Sequence, residues 1–175
     1  MISDNNQFKF RRTTPSDLKD ILSIIVKNQA YFKEQGINQW QNGYPNELVL
    51  INDIAHGESY ILEHNNQIIA TTVISFHKEP TYSVIKGQWI TDTPYAVIHR
   101  IAVAPQAKGN GAAKRLFDEA EKICKQRMIN SLRIDTHPQN KSMIRAIEKQ
   151  GFVFCGIIHL TTGDERVAYE KVLNV

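Results

Sequence analysis

The sequence predicts an α/β fold built on a mixed sheet, on three observations. Strand-like and helix-like segments alternate along most of the 175 residues. The unit over 95–136 reads strand, helix, strand, which closes as a right-handed parallel crossover. Before and after it, consecutive strand segments are joined by short turns and so pair antiparallel.

In chain order, Phe8 to Arg11 is the first strand. Thr14-Pro15-Ser16-Asp17 is a helix start, with Thr14 as N-cap, Pro15 in the first turn and Asp17 near the positive helix end. Leu18, Ile21, Leu22, Ile25 and Phe32 form one apolar stripe at helical spacing, and Gly36 stops it. Ile37 to Tyr44 is irregular and carries Trp40 and Tyr44. A short helix over Asn46 to Ala55 ends at Gly57. Strands Ser59 to Glu63 and Gln67 to Phe76 flank the turn His64-Asn65-Asn66.

Lys78 to Thr93, with Tyr82 and Trp89, has no decisive period and reads as a strand end or a loop. Tyr95 to Val103 is a strand closed by Pro105. Ala112 to Arg127 is an amphipathic helix burying Leu116, Ala120, Ile123 and Cys124, with Phe117 in support. Leu132 to Thr136 is a strand, and Asn140 to Gln150 a helix ended by Gly151. Strands Phe152 to Leu160 and Val167 to Leu173 follow, joined by a turn at Thr162-Gly163-Asp164.

Length favours a single domain over 1–175. A hydrophobic fraction of 42% and a charged fraction of 22% exclude a disordered or collagen-like chain. No stretch approaches the ~20 apolar residues of a membrane span. Cys124 and Cys155 form no Cys-x-x-Cys pair and read as buried thiols. A cytoplasmic protein is expected. The net charge of +3 is scattered, which favours neither nucleic acid nor membrane and suits a small anionic ligand.

The most informative stretch is His99-Arg100-Ile101-Ala102-Val103-Ala104-Pro105-Gln106-Ala107-Lys108-Gly109-Asn110-Gly111-Ala112-Ala113. A strand runs into a glycine-bearing loop that opens directly into a helix. The first amides of such a helix lack intrahelical partners and favour an anion, best a phosphate or pyrophosphate. A P-loop is excluded because no Lys-Ser/Thr follows Gly111. A Rossmann fingerprint is excluded because its third glycine is absent.

What remains, Gln-x-x-Gly-x-Gly at Gln106 to Gly111, resembles the GNAT superfamily of acyl-CoA-dependent N-acetyltransferases. Asn140 opening the next helix and Gly151-Phe152 closing it match the same family, as does the element order. The resemblance implies a mostly antiparallel sheet of about seven strands with a central, splayed parallel pair and about four helices. The splayed strands would be Tyr95 to Val103 and Leu132 to Thr136.

It implies acetyl-CoA as cosubstrate. Ile101, Ala102 and Val103 would pair with its pantetheine arm. Lys108, Gly109, Asn110, Gly111, Ala112 and Ala113 would cradle its pyrophosphate, and Asn140 would touch the arm. It also implies an amine acceptor, and a homodimer at the level of the family.

Acetyl transfer to an amine needs loss of the ammonium proton, a donor to the developing oxyanion (a backbone N–H near Val103) and an acid for the thiolate. Many family members carry a tyrosine four residues before the Gly-Phe pair, where this chain has Ile147. Tyr169 in the last strand is the substitute candidate, and a plain sheet tyrosine is the alternative. For the base, His99 shares strand parity with Val97 and Ile101 and could face the cleft. Its alternative is a sheet histidine satisfied by a hydrogen bond.

His137 falls in the same region, or is a turn histidine before Pro138. Arg100 and Asp135, on adjacent strands, read as an ion pair or as binders of a charged acceptor. Trp40, Tyr44 and Trp89 could wall the acceptor pocket, plug the core or meet a second subunit. The other histidines show no ligand spacing, so no metal is expected.

The expected function is transfer of acetyl from acetyl-CoA to a primary amine of a small molecule, amino acid or peptide, by direct attack in a ternary complex. A non-catalytic acyl-CoA-binding module and a protein N-terminal acetyltransferase stay open.

Overall fold

A computed structural model describes residues 7–175. Its strands are β1 (Phe8–Arg12), β2 (Ser59–His64), β3 (Gln67–Ser75), β4 (Lys86–Gly87), β5 (Tyr95–Val103), β6 (Ser131–Thr136), β7 (Val153–His159) and β8 (Glu165–Val172). The helices are α1 (Leu18–Glu34), α2 (Glu47–Ala55), α3 (Ala112–Gln126) and α4 (Lys141–Lys149). The strands form one sheet in the order β1-β2-β3-β5-β6-β8-β7-β4. Every neighbouring pair is antiparallel except β5 and β6, which are parallel.

The expected strands all form within a residue or two of their predicted ends. The sheet has eight strands and not about seven, because the undecided 78–93 segment contributes the two-residue edge strand β4. Its pairing with β7 depends on two facing glycines. A Cβ on Gly87 would stand 2.1 Å from the Cys155 carbonyl oxygen, and one on Gly156 would stand 2.3 Å from that of Lys86. Neither site can hold a side chain.

At the entry to α1, Thr14 caps a 3-10 turn over Pro15–Asp17. The Asp17 carboxylate accepts from the Thr14 amide at 2.7 Å and from Arg11 Nη1 at 2.7 Å. Ile21, Ile25 and Phe32 are buried as the stripe requires. Asn28, on the same face, is buried too, and its Nδ2 donates to the Val103 carbonyl at 3.0 Å. Helix α1 therefore holds the far end of β5. Helix α3 buries Leu116, Phe117, Ala120 and Cys124, with Ile123 packed at the margin.

One large apolar cluster joins α1, α3 and α4 to the central strands. A smaller one gathers Tyr82, Val97, Ile158 and Ala168, with Trp89 packed against it. Among the described residues no helix is long and apolar enough to cross a membrane.

Candidate functional site

The parallel ladder ends early. Its last rung joins Ile98 to Ile134, although β5 runs on to Val103 and β6 to Thr136. The cause lies in β5, where Arg100 adopts a left-handed backbone with φ of 51°. His99 faces Val73 on β3, but Ala102 faces Thr71, so β5 carries one extra residue across a bulge. The strands part there, and the β6-facing edge of Ile101–Val103 has no ladder partner.

The bulge also corrects the parity argument from sequence. Ile101 turns with Ile98 into the large core cluster, while Val97 belongs to the smaller one. His99 keeps the Val97 face and shares no face with Ile101.

Beyond the fork lies a cavity of about 720 Å³. His99 and Asp135 line it from the two parting strands, Trp40 and Tyr44 from the irregular segment, and Glu58 and Glu79 from the β3 side. Asn140 and Arg166 complete the wall. His99 Nε2 lies 3.5 Å from Glu79 Oε2. Burial first, then the charge of Arg100, holds the His99 pKa down at about 3, so the imidazole is neutral at physiological pH. Asp135 accepts from the Tyr82 hydroxyl at 2.7 Å. Burial pushes its carboxyl above the usual range, against the pull of that bond and of Arg166.

The expected pairing of Arg100 with Asp135 does not occur. The bulge turns Arg100 toward α2, where Nη2 and Nε meet the Asp53 carboxylate at 2.6 and 2.8 Å. Nη1 donates to the Tyr44 hydroxyl at 2.5 Å. Arg100 is thus paired through all three of its nitrogens, and it ties the irregular segment to β5. Asn140 caps α4: its Oδ1 accepts from Met143 N at 3.1 Å, and its Nδ2 donates to Gln39 Oε1 at 2.8 Å.

The glycine loop continues from β5 through the 3-10 turn Pro105–Ala107. Gly109 and Gly111 have φ of 82° and 75°, and a Cβ on either would meet nothing within 4 Å. The amides of Lys108 and Asn110 turn inward to the carbonyls of Pro105 and Ala107. Those of Gly109, Gly111, Ala112 and Ala113 have no protein partner among the described residues. They form an open cradle at the start of α3. The Lys108 ammonium stands 3.6 Å over the Tyr31 ring at its rim.

Three of the expected catalytic and acceptor residues lie outside the cavity wall. Trp89 packs on Tyr82, its Nε1 donating to the Tyr82 carbonyl at 3.0 Å, with Arg133 stacked 4.2 Å from its ring. His137 sits in the turn before α4, its Nδ1 accepting from Gln139 N at 3.2 Å. Tyr169 is buried and donates to Glu148 Oε1 at 3.3 Å. Conversely, Glu58, Glu79 and Arg166 reach the cavity with no motif to announce them. Isolated charges in strands or at their ends were the only available signal.

The chain's sequence from 26 to 152 matches the model of the acetyltransferase (GNAT) family. The chain belongs to the GNAT family. An acetyltransferase of this family from Streptococcus agalactiae is 27% identical, with a TM-score of 0.88 over 96% of both chains. One from Listeria monocytogenes is 20% identical, with a TM-score of 0.75 over 99% of both. The yncA protein of Salmonella typhimurium, solved with its cofactor acetyl-CoA, shares the fold at 13% identity and a TM-score of 0.68, covering 97% of this chain and 95% of that one. No curated protein sequence matches the chain. In this GNAT chain the forked strands are β5 and β6, and Ile147 on α4 is fully buried in the core.

Proposed function

We propose that this GNAT chain transfers an acetyl group from acetyl-CoA to a primary amine by direct attack, as a single-domain cytoplasmic enzyme. One observation carries the reading: the strand that leaves the ladder at the fork leads, within a few residues, into the cradle of outward amides. A linear cosubstrate could lie along both. The open cradle fits a diphosphate, since nothing occupies the space beside Gly109 and Gly111.

The amides of Gly109, Gly111, Ala112 and Ala113, at the positive end of α3, would hold the pyrophosphate, with Lys108 at the rim. The free edge of Ile101–Val103 would pair with the pantetheine arm, near Asn140. Acetyl-CoA supplies an acetyl carbonyl already activated as a thioester.

The chain's part is to position the amine and take its proton. With its pKa near 3, His99 is a poor resting place for a proton. It serves as a relay, passing the ammonium proton on to Glu79, whose carboxylate is 3.5 Å away. The burial-raised Asp135 faces the same space and is a second acceptor. Tyr169 as acid would need its hydroxyl to leave Glu148 and reach the fork.

A thiol-release assay with acetyl-CoA across amines and peptides tests this, paired with a calorimetric titration of coenzyme A. Saturable binding with amine-dependent thiol release is expected. Binding without release across the whole panel would favour a non-catalytic acyl-CoA-binding module, the reading to which the core-buried Ile147 leans.

A further inference from the structure

Arg166 is the cavity's second arginine, and its state is unlike that of Arg100. The residue is 7% exposed and lines the cavity. Among the described residues its guanidinium makes one hydrogen bond, from Nη1 to the Glu165 carbonyl at 2.9 Å. Among the described residues it enters no ion pair within 4.0 Å. The two nearby carboxylates are engaged elsewhere: Asp135 accepts from Tyr82, and Asp164 accepts from Thr162 Oγ1 at 2.7 Å. Burial lowers the Arg166 pKa, but an arginine stays charged in a protein. A largely desolvated guanidinium with free donors is matched best by a planar carboxylate taken in the two-pronged manner.

The sheet register places this cation relative to the fork. Val97 faces Arg133 across β5 and β6, so His99 and Asp135 share one face of the sheet. Asp135 faces Ala168 across β6 and β8, and Arg166 is two residues along β8 on that same face. His99, Asp135 and Arg166 therefore project from three neighbouring strands to one side. Two residues of strand separate the Asp135 rung from Arg166 by roughly 7 Å. The acidic groups Glu79, Asp135 and Glu58 lie toward the fork, and the Arg166 guanidinium lies farther down β8.

The geometry points to an acceptor that is itself an amino acid-like carboxylate: its amine sits at the fork and its carboxylate sits on Arg166. This rests on the acetyl-transfer reading above and narrows its acceptor. A simple alkylamine would leave the guanidinium with only the longer-range charges of Asp135 and Asp164 and, among the described residues, no carboxylate in hydrogen-bond contact. The transfer keeps its balance: one ammonium proton leaves through His99 toward Glu79, the freed amine nitrogen forms the new bond to the acetyl carbon, the carbon–sulfur bond breaks with its electron pair going to sulfur, and the second nitrogen proton ends on that thiolate as coenzyme A departs as the thiol.

The test uses the full chain with α-, β- and γ-amino acids and their carboxamides as matched acceptors. The acids should exceed their amides at least tenfold in kcat/KM. Arg166→Gln should cost the acids tenfold or more while moving the amides less than threefold. Equal use of acids and amides, or an unchanged preference in Arg166→Gln, overturns the proposal.

A second measurement separates this proposal from the reading beneath it. N-acetylamino acids and their amides are titrated by calorimetry in the presence of coenzyme A. If no amine is acetylated, the transfer reading fails, and the titration alone decides the carboxylate site. Binding of acids at least tenfold weaker to Arg166→Gln than to the parent supports it, and equal binding ends it. Should Arg166→Gln not fold, Arg166→Lys keeps the charge without the fork. It must then lose threefold or more on the acids, and an unchanged value is decisive against the site.

Discussion

His99 and Asp135 are the first residues past the last rung of the β5–β6 parallel ladder, one on each parting strand and both on the same face of the sheet. A cross-strand pair at this register would ordinarily be closed by backbone hydrogen bonds on its shared edge. Here the bulge at Arg100 opens that edge, and the two polar side chains stand at the crotch of the fork. Their surroundings differ. His99 is kept neutral beside Glu79, and Asp135 is kept under the Tyr82 hydroxyl with a raised pKa.

His99→Ala should reduce kcat by about 100-fold, the ordinary yield of a positioned proton acceptor. Coenzyme A affinity should stay within twofold. Glu79→Gln should resemble it if the two act as one relay, and the double variant should then be no worse than the poorer single one. Additive losses in steady-state kinetics would separate the two residues.

Gly109→Glu places a carboxylate in open space beside the cradle, where the positive helix end accepts it in place of a diphosphate and its charge repels one. Coenzyme A should bind at least tenfold more weakly. Gly109→Ala is the control, because its strain at φ of 82° is shared by both variants. The difference between them in calorimetry reports the charge.

Asn28→Ala removes the donor that holds the Val103 carbonyl. A buried carbonyl left without its partner costs about 1–3 kcal/mol. The variant should unfold at lower denaturant. It should also raise the KM for acetyl-CoA more than it lowers kcat, since the freed end of β5 is the segment assigned to the pantetheine arm.

Glu170 is fully buried and is the anchor of the 88–94 loop. Its carboxylate accepts from Ile90 N at 2.7 Å, Thr91 Oγ1 at 2.6 Å and Ser131 Oγ at 2.6 Å, with Arg133 Nε 3.6 Å away. Glu170→Ala leaves Arg133 buried beside Trp89 without its counter-charge. It should destabilise the fold by about 3–5 kcal/mol, read from chemical unfolding.

The bonds from Arg11 hold the Asp17 carboxyl well below the usual carboxylate range, with the Thr14 amide assisting. The folded pKa is lower than the unfolded one. Stability from this group is therefore complete above the unfolded value of about 3.9 and is lost as pH falls toward the folded one. Asp17→Asn should unfold more easily than the parent at pH 7, and the gap should narrow progressively below pH ~4.

The strand and helix periods made most of the fold legible before any coordinates, because each period reflects a face that must be buried. The glycine loop was legible for a similar reason, since its spacing tells of backbone shape. The site's side-chain pairing was not. Arg100 was expected on Asp135 because strands were assumed regular, and nothing in Ile98-His99-Arg100-Ile101 marks a left-handed residue. Once that one backbone angle turns, Arg100 reaches Asp53, a partner 47 residues away. Arg166 has no sequence signature, because its meaning depends on what does not surround it, and sequence carries no record of missing partners. Trp89 was ambiguous, and its place on Tyr82 is set by the Glu170 anchor, a long-range contact without a local signature.

Apart from the end of β5, which lines the cavity and then runs into the cradle, the walls of the cavity and the amide cradle come from separate stretches of chain. Residues 38–44, Glu79 and 160–166 shape the cavity, whereas 105–113 form the cradle. Drift in the first set can retune which molecule is modified without disturbing how the common donor is held. Lineages descending from such a scaffold are free to change their targets by exchanging a few surface segments, and the glycine turn can stay as it is.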